Sequence, residues 1–171
     1  MATQAELDPA YLNMAAIWAQ LSKARRKKVG CIIVKDGAII SDGYNGTPCG
    51  FNNDCEIYKP RVGYGMTIDD EGNPVEGTYE LVTKNEVLHA ESNAITKLAK
   101  STQSSEGSTM YITISPCVDC AKLVIQSGIK RVVYGELYRD DKGIKLLKKA
   151  KVQVDQINNE KTNKNNNRAI H

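Results

Sequence analysis

Two short stretches constrain this chain more than anything else in it. Val87–Ile95 (VLHAESNAI) contains His89 and Glu91, and Thr109–Ile125 (TMYITISPCVDCAKLVI) contains Cys117 and Cys120 directly after Pro116. The chain has two histidines, and the other, His171, is its last residue. Cysteines three apart on the first turn of a helix share one face, so both sulfurs can reach one ion. A helix N-terminus also favours the thiolate, which is the form that binds metal. The five cysteines are an odd number, and a Pro-Cys-x-x-Cys beside a histidine is better explained by metal than by disulfides. Cys49 and Cys55 have no spare histidine near them to build a second metal site, so they are expected to be free thiols.

Two thiolates and one neutral imidazole balance the charge of Zn²⁺ and leave a fourth tetrahedral position for water, as catalytic zinc sites require. Zinc acidifies such water toward neutrality. Glu91 is two residues from His89, and positions two apart do not face the same way along a helix. The pair therefore works only on the helix's first turn, where Glu91 sits beside the metal without ligating it and can move protons. A closed structural zinc site is the alternative. It needs a fourth protein ligand, which only Cys31, Cys49 or Cys55 could supply, and it leaves Glu91 without a purpose.

The remainder of the chain reads as helices alternating with strands. Pro9–Arg26 is predicted to be an amphipathic helix with Asp8 as N-cap and Pro9 at its first position, its apolar stripe being Leu12, Ala15, Ala16, Ala19 and Leu21 with Trp18. The basic run Lys23–Lys28 closes it, either as a solvated helix end suited to the dipole or as a holder of phosphate. Val29–Lys35 reads as a buried strand, Asp36-Gly37 as a hairpin turn and Ala38–Gly43 as the returning strand. By spacing alone, Gly43–Pro48 is a turn-rich exit. Residues 47–84 show no periodicity and read as an insertion. A helix opening at Asn85 or Glu86 runs through His89 to about Lys100, with Ala90, Ala94, Ile95, Leu98 and Ala99 on its buried face. A strand follows over Thr109–Ser115, a helix from the cysteines to Gly128, a strand over Arg131–Tyr134, a helix over Asp140–Ala150 and a last strand over Val152–Val154. This order predicts an α/β fold, a three-layer α/β/α sandwich around a five-stranded mixed sheet. Residues 1–157 are expected to form one domain, and 158–171 a polar, mobile or weakly docked tail.

The pair His-x-Glu and Pro-Cys-x-x-Cys is the signature of zinc-dependent nucleobase deaminases. Three segments sharpen the likeness: His89-Ala90-Glu91-Ser92-Asn93-Ala94-Ile95, Ser115-Pro116-Cys117-Val118-Asp119-Cys120-Ala121-Lys122 and Gly43-Tyr44-Asn45-Gly46-Thr47-Pro48. Together they resemble the deoxycytidylate (dCMP) deaminases, especially the phage-encoded forms, from about Lys23 to Tyr138. The resemblance implies a cytidine deaminase-like fold and hydrolysis of dCMP to dUMP, feeding thymidylate synthesis. It also implies a homohexamer activated by dCTP and inhibited by dTTP, each with Mg²⁺. By position, His89, Cys117 and Cys120 would bind one catalytic Zn²⁺ and Glu91 would shuttle protons. The backbones of Ala90 and Ser115 would meet the cytosine edge, and Asn45 would hold the sugar hydroxyl. Some phage relatives carry a second, structural zinc on extra histidines and cysteines in the central insertion; this chain has no histidine there, so a single zinc is expected. Gly43, Tyr44, Asn45 and Gly46 are also tied in this family to the effector site, and Lys97 and Lys100 could meet an effector triphosphate across a subunit interface.

A buried phosphate dianion needs cations or N–H donors. Arg26 and Lys28 are the candidates, with Tyr138 as a hydroxyl donor or as packing near the base. A net charge of +3 and a single tryptophan and phenylalanine speak against a polymeric nucleic acid substrate. No window approaches the length of a membrane span, and a cytoplasmic enzyme is expected (in the host cytoplasm, if phage-encoded). Two other readings stay open: a deaminase of another cytosine or adenine nucleotide, and a non-catalytic zinc module that senses nucleotides.

Overall fold

The computed structural model describes residues 2–63 and 65–157. The expected tail from residue 158 lies outside the described residues. The elements in chain order are α1 (Gln4–Ala19), β1 (Gly30–Lys35), β2 (Ala38–Tyr44), β3 (Glu56–Pro60), β4 (Tyr79–Thr83), α2 (Ala90–Leu98), β5 (Thr109–Ile114), α3 (Val118–Gln126), β6 (Arg131–Glu136), α4 (Lys142–Lys149) and β7 (Gln153–Gln156). The main sheet runs β2-β1-β5-β6-β7. β1 is antiparallel to both β2 and β5, whereas β5, β6 and β7 are parallel. The parallel half requires crossover helices, and α3 and α4 supply them.

Both sheet faces are covered, which gives the three layers expected. Along β1, Cys31 and Ile33 face one core with Met110, Ile112, Val132, Ala90, Ala94, Ala121 and Val124, beneath α2, α3 and α4. The intervening Ile32 and Val34 join Tyr111, Val133 and Ala15 of α1 on the other side. The period of two thus sends alternate residues into two different cores. In β5, likewise, Met110 and Ile112 face one core and Tyr111 the other. Tyr111 is 1% exposed, and its hydroxyl donates to Asp8 at 2.7 Å.

Helix α1 departs from expectation at both ends. It begins a turn earlier, at Gln4 with Thr3 as N-cap, and Pro9 lies inside it. The Glu6 carboxylate accepts the Thr3 N–H at 2.8 Å, the reciprocal half of a capping box. The helix ends at Ala19, so the basic run is not helical, and Leu21 is exposed. Asp8, expected as the cap, is instead buried in an ion pair. Arg131 donates to its two oxygens at 2.8 and 2.7 Å and to Asp155 at 2.7 Å, tying α1 to β6 and β7. Burial pushes the Asp8 carboxyl up, but the bonds from Arg131, Tyr111 and Gln4 outweigh it and hold it below its ordinary value.

Removing one member of a buried pair leaves an uncompensated charge. Asp8→Asn is therefore expected to lower unfolding free energy at pH 7 by about 3 kcal/mol, measured by urea titration. Because the folded-state pKa of Asp8 lies below the unfolded one, its contribution is complete above about pH 4 and is lost as pH falls through the folded value. The gap between wild type and variant should therefore close only in acid. A variant equal to wild type at pH 7 would show that the pair adds nothing.

The segment 47–84 is not structureless, as its lack of periodicity suggested. It carries β3 and β4 as a separate two-stranded antiparallel ribbon. Helix α2 starts at Ala90 rather than at 85 or 86 and stops at Leu98, because Leu88 is held in a bridge to Gly46. Two glycines let helices touch the sheet. A Cβ on Gly30 would lie 1.9 Å from the Ala15 carbonyl oxygen of α1, and one on Gly43 would lie 2.2 Å from the Ala90 carbonyl oxygen of α2.

Candidate active site

His89 is the N-cap of α2 and Cys117 the N-cap of α3, both with extended backbone, and neither side chain caps its own helix. Histidine and cysteine are poor substitutes for the usual Ser, Thr, Asp or Asn. Their side chains turn toward each other instead. His89 Nδ1 is 3.6 Å from Cys117 Sγ and 3.4 Å from Cys120 Sγ. A tetrahedral zinc with ordinary bonds to nitrogen and sulfur holds such atoms about 3.5 Å apart, so the three side chains fit the ion as they stand. Hydrogen bonds from Cys120 and His89 push the Cys117 thiol down to about 4, while the same contact and burial push the Cys120 thiol up, so Cys117 is the thiolate ready for a metal and Cys120 must give up its proton on binding. The first turn of α4 closes against this corner. A Cβ on Gly143 would lie 2.0 Å from the Pro116 carbonyl oxygen.

Glu91 sits one residue into α2, 3% exposed, and lines the same cavity as His89 and Cys117. Burial raises its carboxyl to about 7, a value at which it can both accept and release a proton near neutrality. Beside the metal cluster, the cavity of about 350 Å³ is walled by Arg26, Lys27, Asn45, Ala90, Ser115 and Tyr138.

Of the residues anticipated from sequence, Arg26, Asn45, Ala90, Glu91, Ser115 and Tyr138 are thus brought together with the metal triad. Lys28 is not among the cavity-lining residues, and its Nζ lies 3.5 Å from the Gln20 carbonyl oxygen. Lys27, its neighbour, lines the cavity in its place, together with Arg139 and the acids Glu56 and Glu136. In the non-helical run before β1, Arg26 and Lys27 line the cavity, whereas Lys28 turns back toward the end of α1. The Asn45 amide is a clamp on this run: Oδ1 accepts the Val29 N–H at 2.8 Å and Nδ2 donates to the Lys27 carbonyl at 2.9 Å. The Ser115 N–H donates to the Glu136 carbonyl at 2.8 Å, while its Oγ accepts the Tyr138 N–H at 2.9 Å.

The residues expected at an effector site lie elsewhere, apart from Asn45. Gly43 is buried under α2, the Tyr44 carbonyl accepts from Asn93 Nδ2 at 2.9 Å, and Gly46 exchanges two backbone bonds with Leu88. Lys97 pairs with Asp42 at 2.5 Å, and Asp42 also accepts from Trp18 Nε1 at 2.6 Å. Lys100 is exposed just beyond the end of α2.

Residues 5–136 match the family described as the cytidine and deoxycytidylate deaminase zinc-binding region. The chain belongs to that family. A deoxycytidylate deaminase of Enterobacteria phage T4 is 38% identical to this enzyme, over 91% of this chain and 92% of its own length. The phage T2 deoxycytidylate deaminase is 41% identical, over 77% of this chain and 80% of its own. A dCMP deaminase from cyanophage S-TIM5, crystallised with dCMP and dUMP, superposes with a TM-score of 0.74 at 38% identity, covering 91% of this chain and 100% of that one. Among the described residues, no helix is long and apolar enough to cross a membrane.

Proposed function

We propose that this deaminase hydrolyses dCMP to dUMP and ammonia and so supplies dUMP for thymidylate synthesis. The observation that carries the reading is a buried, proton-ready Glu91 beside a zinc-compatible triad, in a cavity that also holds cations for a phosphate. The phage relatives' names and the S-TIM5 complex with dCMP and dUMP support the choice of base and sugar.

In this reading His89, Cys117 and Cys120 hold the zinc, which when bound makes water a nucleophile near neutral pH. Glu91 takes the proton that water releases and delivers it to the ring nitrogen. It then takes the second proton from the added oxygen and passes it to the exocyclic amine, which leaves as ammonia as the carbon–nitrogen bond breaks and the ring carbonyl forms. The Ser115 N–H is already bonded to Glu136, so its carbonyl is the backbone group left for the cytosine amine. Ala90, at the first position of α2, offers an N–H with no intrahelical partner. Asn45 uses one amide hydrogen on Lys27 and keeps a second for a sugar hydroxyl. Arg26, Lys27 and Arg139 take the phosphate, and Tyr138 flanks the base. Residues 1–157 serve as one catalytic domain.

Regulation by dCTP as activator and dTTP as inhibitor, each with Mg²⁺, in a cytoplasmic homohexamer completes the proposal. The placement of Lys97 and Lys100 on an outer surface, away from the cavity, supports a separate effector contact, with Gly43–Gly46 linking the two.

The test is a deamination assay over dCMP, CMP, deoxycytidine and dCTP, with and without dTTP. Two or three charge-assisted bonds to phosphate predict a kcat/KM for deoxycytidine at least about 100-fold below that for dCMP. Equal turnover of the two would remove the phosphate site. Indifference to dTTP would remove the regulatory part alone.

A further inference from the structure

Cations and carboxylates are interleaved in the cavity wall. Arg26, Lys27 and Arg139 line it together with Glu56 and Glu136. The two acids are held very differently. The Glu56 carboxylate accepts the Arg25 N–H at 3.1 and 3.2 Å and the Arg26 N–H at 3.3 Å, so it acts as a strut under the basic segment. Glu136 meets Lys27 Nζ at 2.7 Å, with the two side chains 67% and 55% exposed. Such a pair contributes little and opens readily.

The backbone on either side of that pair is nevertheless fixed, by Asn45 bonding the Lys27 carbonyl and by Ser115 bonding the Glu136 carbonyl. When the Lys27 tip leaves Glu136 for a substrate anion, the Glu136 carboxylate is left as an unpaired negative charge on a residue that lines the cavity. We propose that Glu136 is a specificity-determining residue that confines the site to nucleoside monophosphates. The inference rests on the dCMP reading above.

Apart from the metal cluster and Glu91, the lining side chains carry three positive and two negative charges. A monophosphate carries close to two negative charges at neutral pH and can use Lys27 once that pair opens. A diphosphate adds at least one more negative charge to a partly enclosed space that already holds two carboxylates. Like charges at close range repel even at so exposed a wall. Without the Glu136 charge the lining is one unit more positive, which suits the longer chain.

The experiment measures kcat/KM for dCMP and for dCDP in the zinc-loaded wild type and in Glu136→Gln, at low and high NaCl. Wild type is expected to prefer dCMP by about 100-fold or more, and the variant to reduce that preference about tenfold, the repulsion removed being roughly that of one exposed like-charge contact. The change should shrink in high salt, as a charge effect must. Glu136→Lys should carry the shift further. A preference unchanged in both variants, including dCDP turnover undetectable throughout, would overturn the role of Glu136. So would an equal loss on both substrates, which marks a merely structural residue. Failure of the wild type to turn over dCMP would overturn the functional reading itself, and is distinguishable from these outcomes.

Discussion

Replacing Glu91 by glutamine is expected to lower kcat on dCMP by about 10³-fold, within the range that a positioned general acid/base contributes, while zinc content and the unfolding midpoint stay near those of the wild type. The side chain is almost wholly enclosed, and burial already favours its neutral form. An amide of the same shape therefore adds no desolvation cost, and no metal ligand is disturbed. What disappears is the one group in the cavity placed to take a proton from water and return it to the departing amine. Steady-state kinetics with elemental analysis of the purified variant check this. A variant within tenfold of the wild-type kcat would show that another group carries the proton.

Cys117→Ala is expected to remove metal, activity and stability together. An ion bound at a free concentration 1,000-fold above its Kd adds about 4 kcal/mol to the folded state. In a chain of this size that corresponds to a fall of about 10 °C in the unfolding midpoint. The exposed thiol of Cys49 provides the control, since Cys49→Ala should retain one zinc per chain and its full midpoint. Stoichiometric zinc in Cys117→Ala would exclude that sulfur from the ligand set.

The chemistry was legible in the sequence because it depends on residue types that few other roles require. A lone internal histidine, two cysteines at helical spacing and a glutamate two residues from the histidine call for His89 and Glu91 at the very start of their helix, and α2 starts there with His89 as its N-cap, although the helical pattern itself suggested a start at Asn85 or Glu86. The sheet was legible for a similar reason, since continuous apolar runs such as Val29–Lys35 suit strands covered on both faces. The start of α1 was not read correctly, because Pro9 resembles a helix start while the capping pair Thr3 and Glu6 lies upstream in a polar stretch. The phosphate cations were half legible. The basic run was apparent, but which of its members face the cavity depends on a non-helical path that Asn45 and Glu56 impose from distant parts of the chain. Glu136 and Arg139 flank Tyr138 closely in sequence, yet only the turn at the end of β6 places them at the cavity wall.

Gly30 and Gly43 sit on neighbouring strands, one residue out of register with each other, and they admit helices from opposite sides of the sheet. At that point α1 and α2 are separated by main chain alone. Where the two cores lie between helix and sheet, side chains fill the space, and their rotamers can absorb a small displacement. Here there is nothing soft to deform. A mutation that thickens the contact of α1 at Ala15 or Ala19 would therefore press on the main chain of β1, one strand away from the contact between Gly43 and Ala90, the residue between His89 and Glu91.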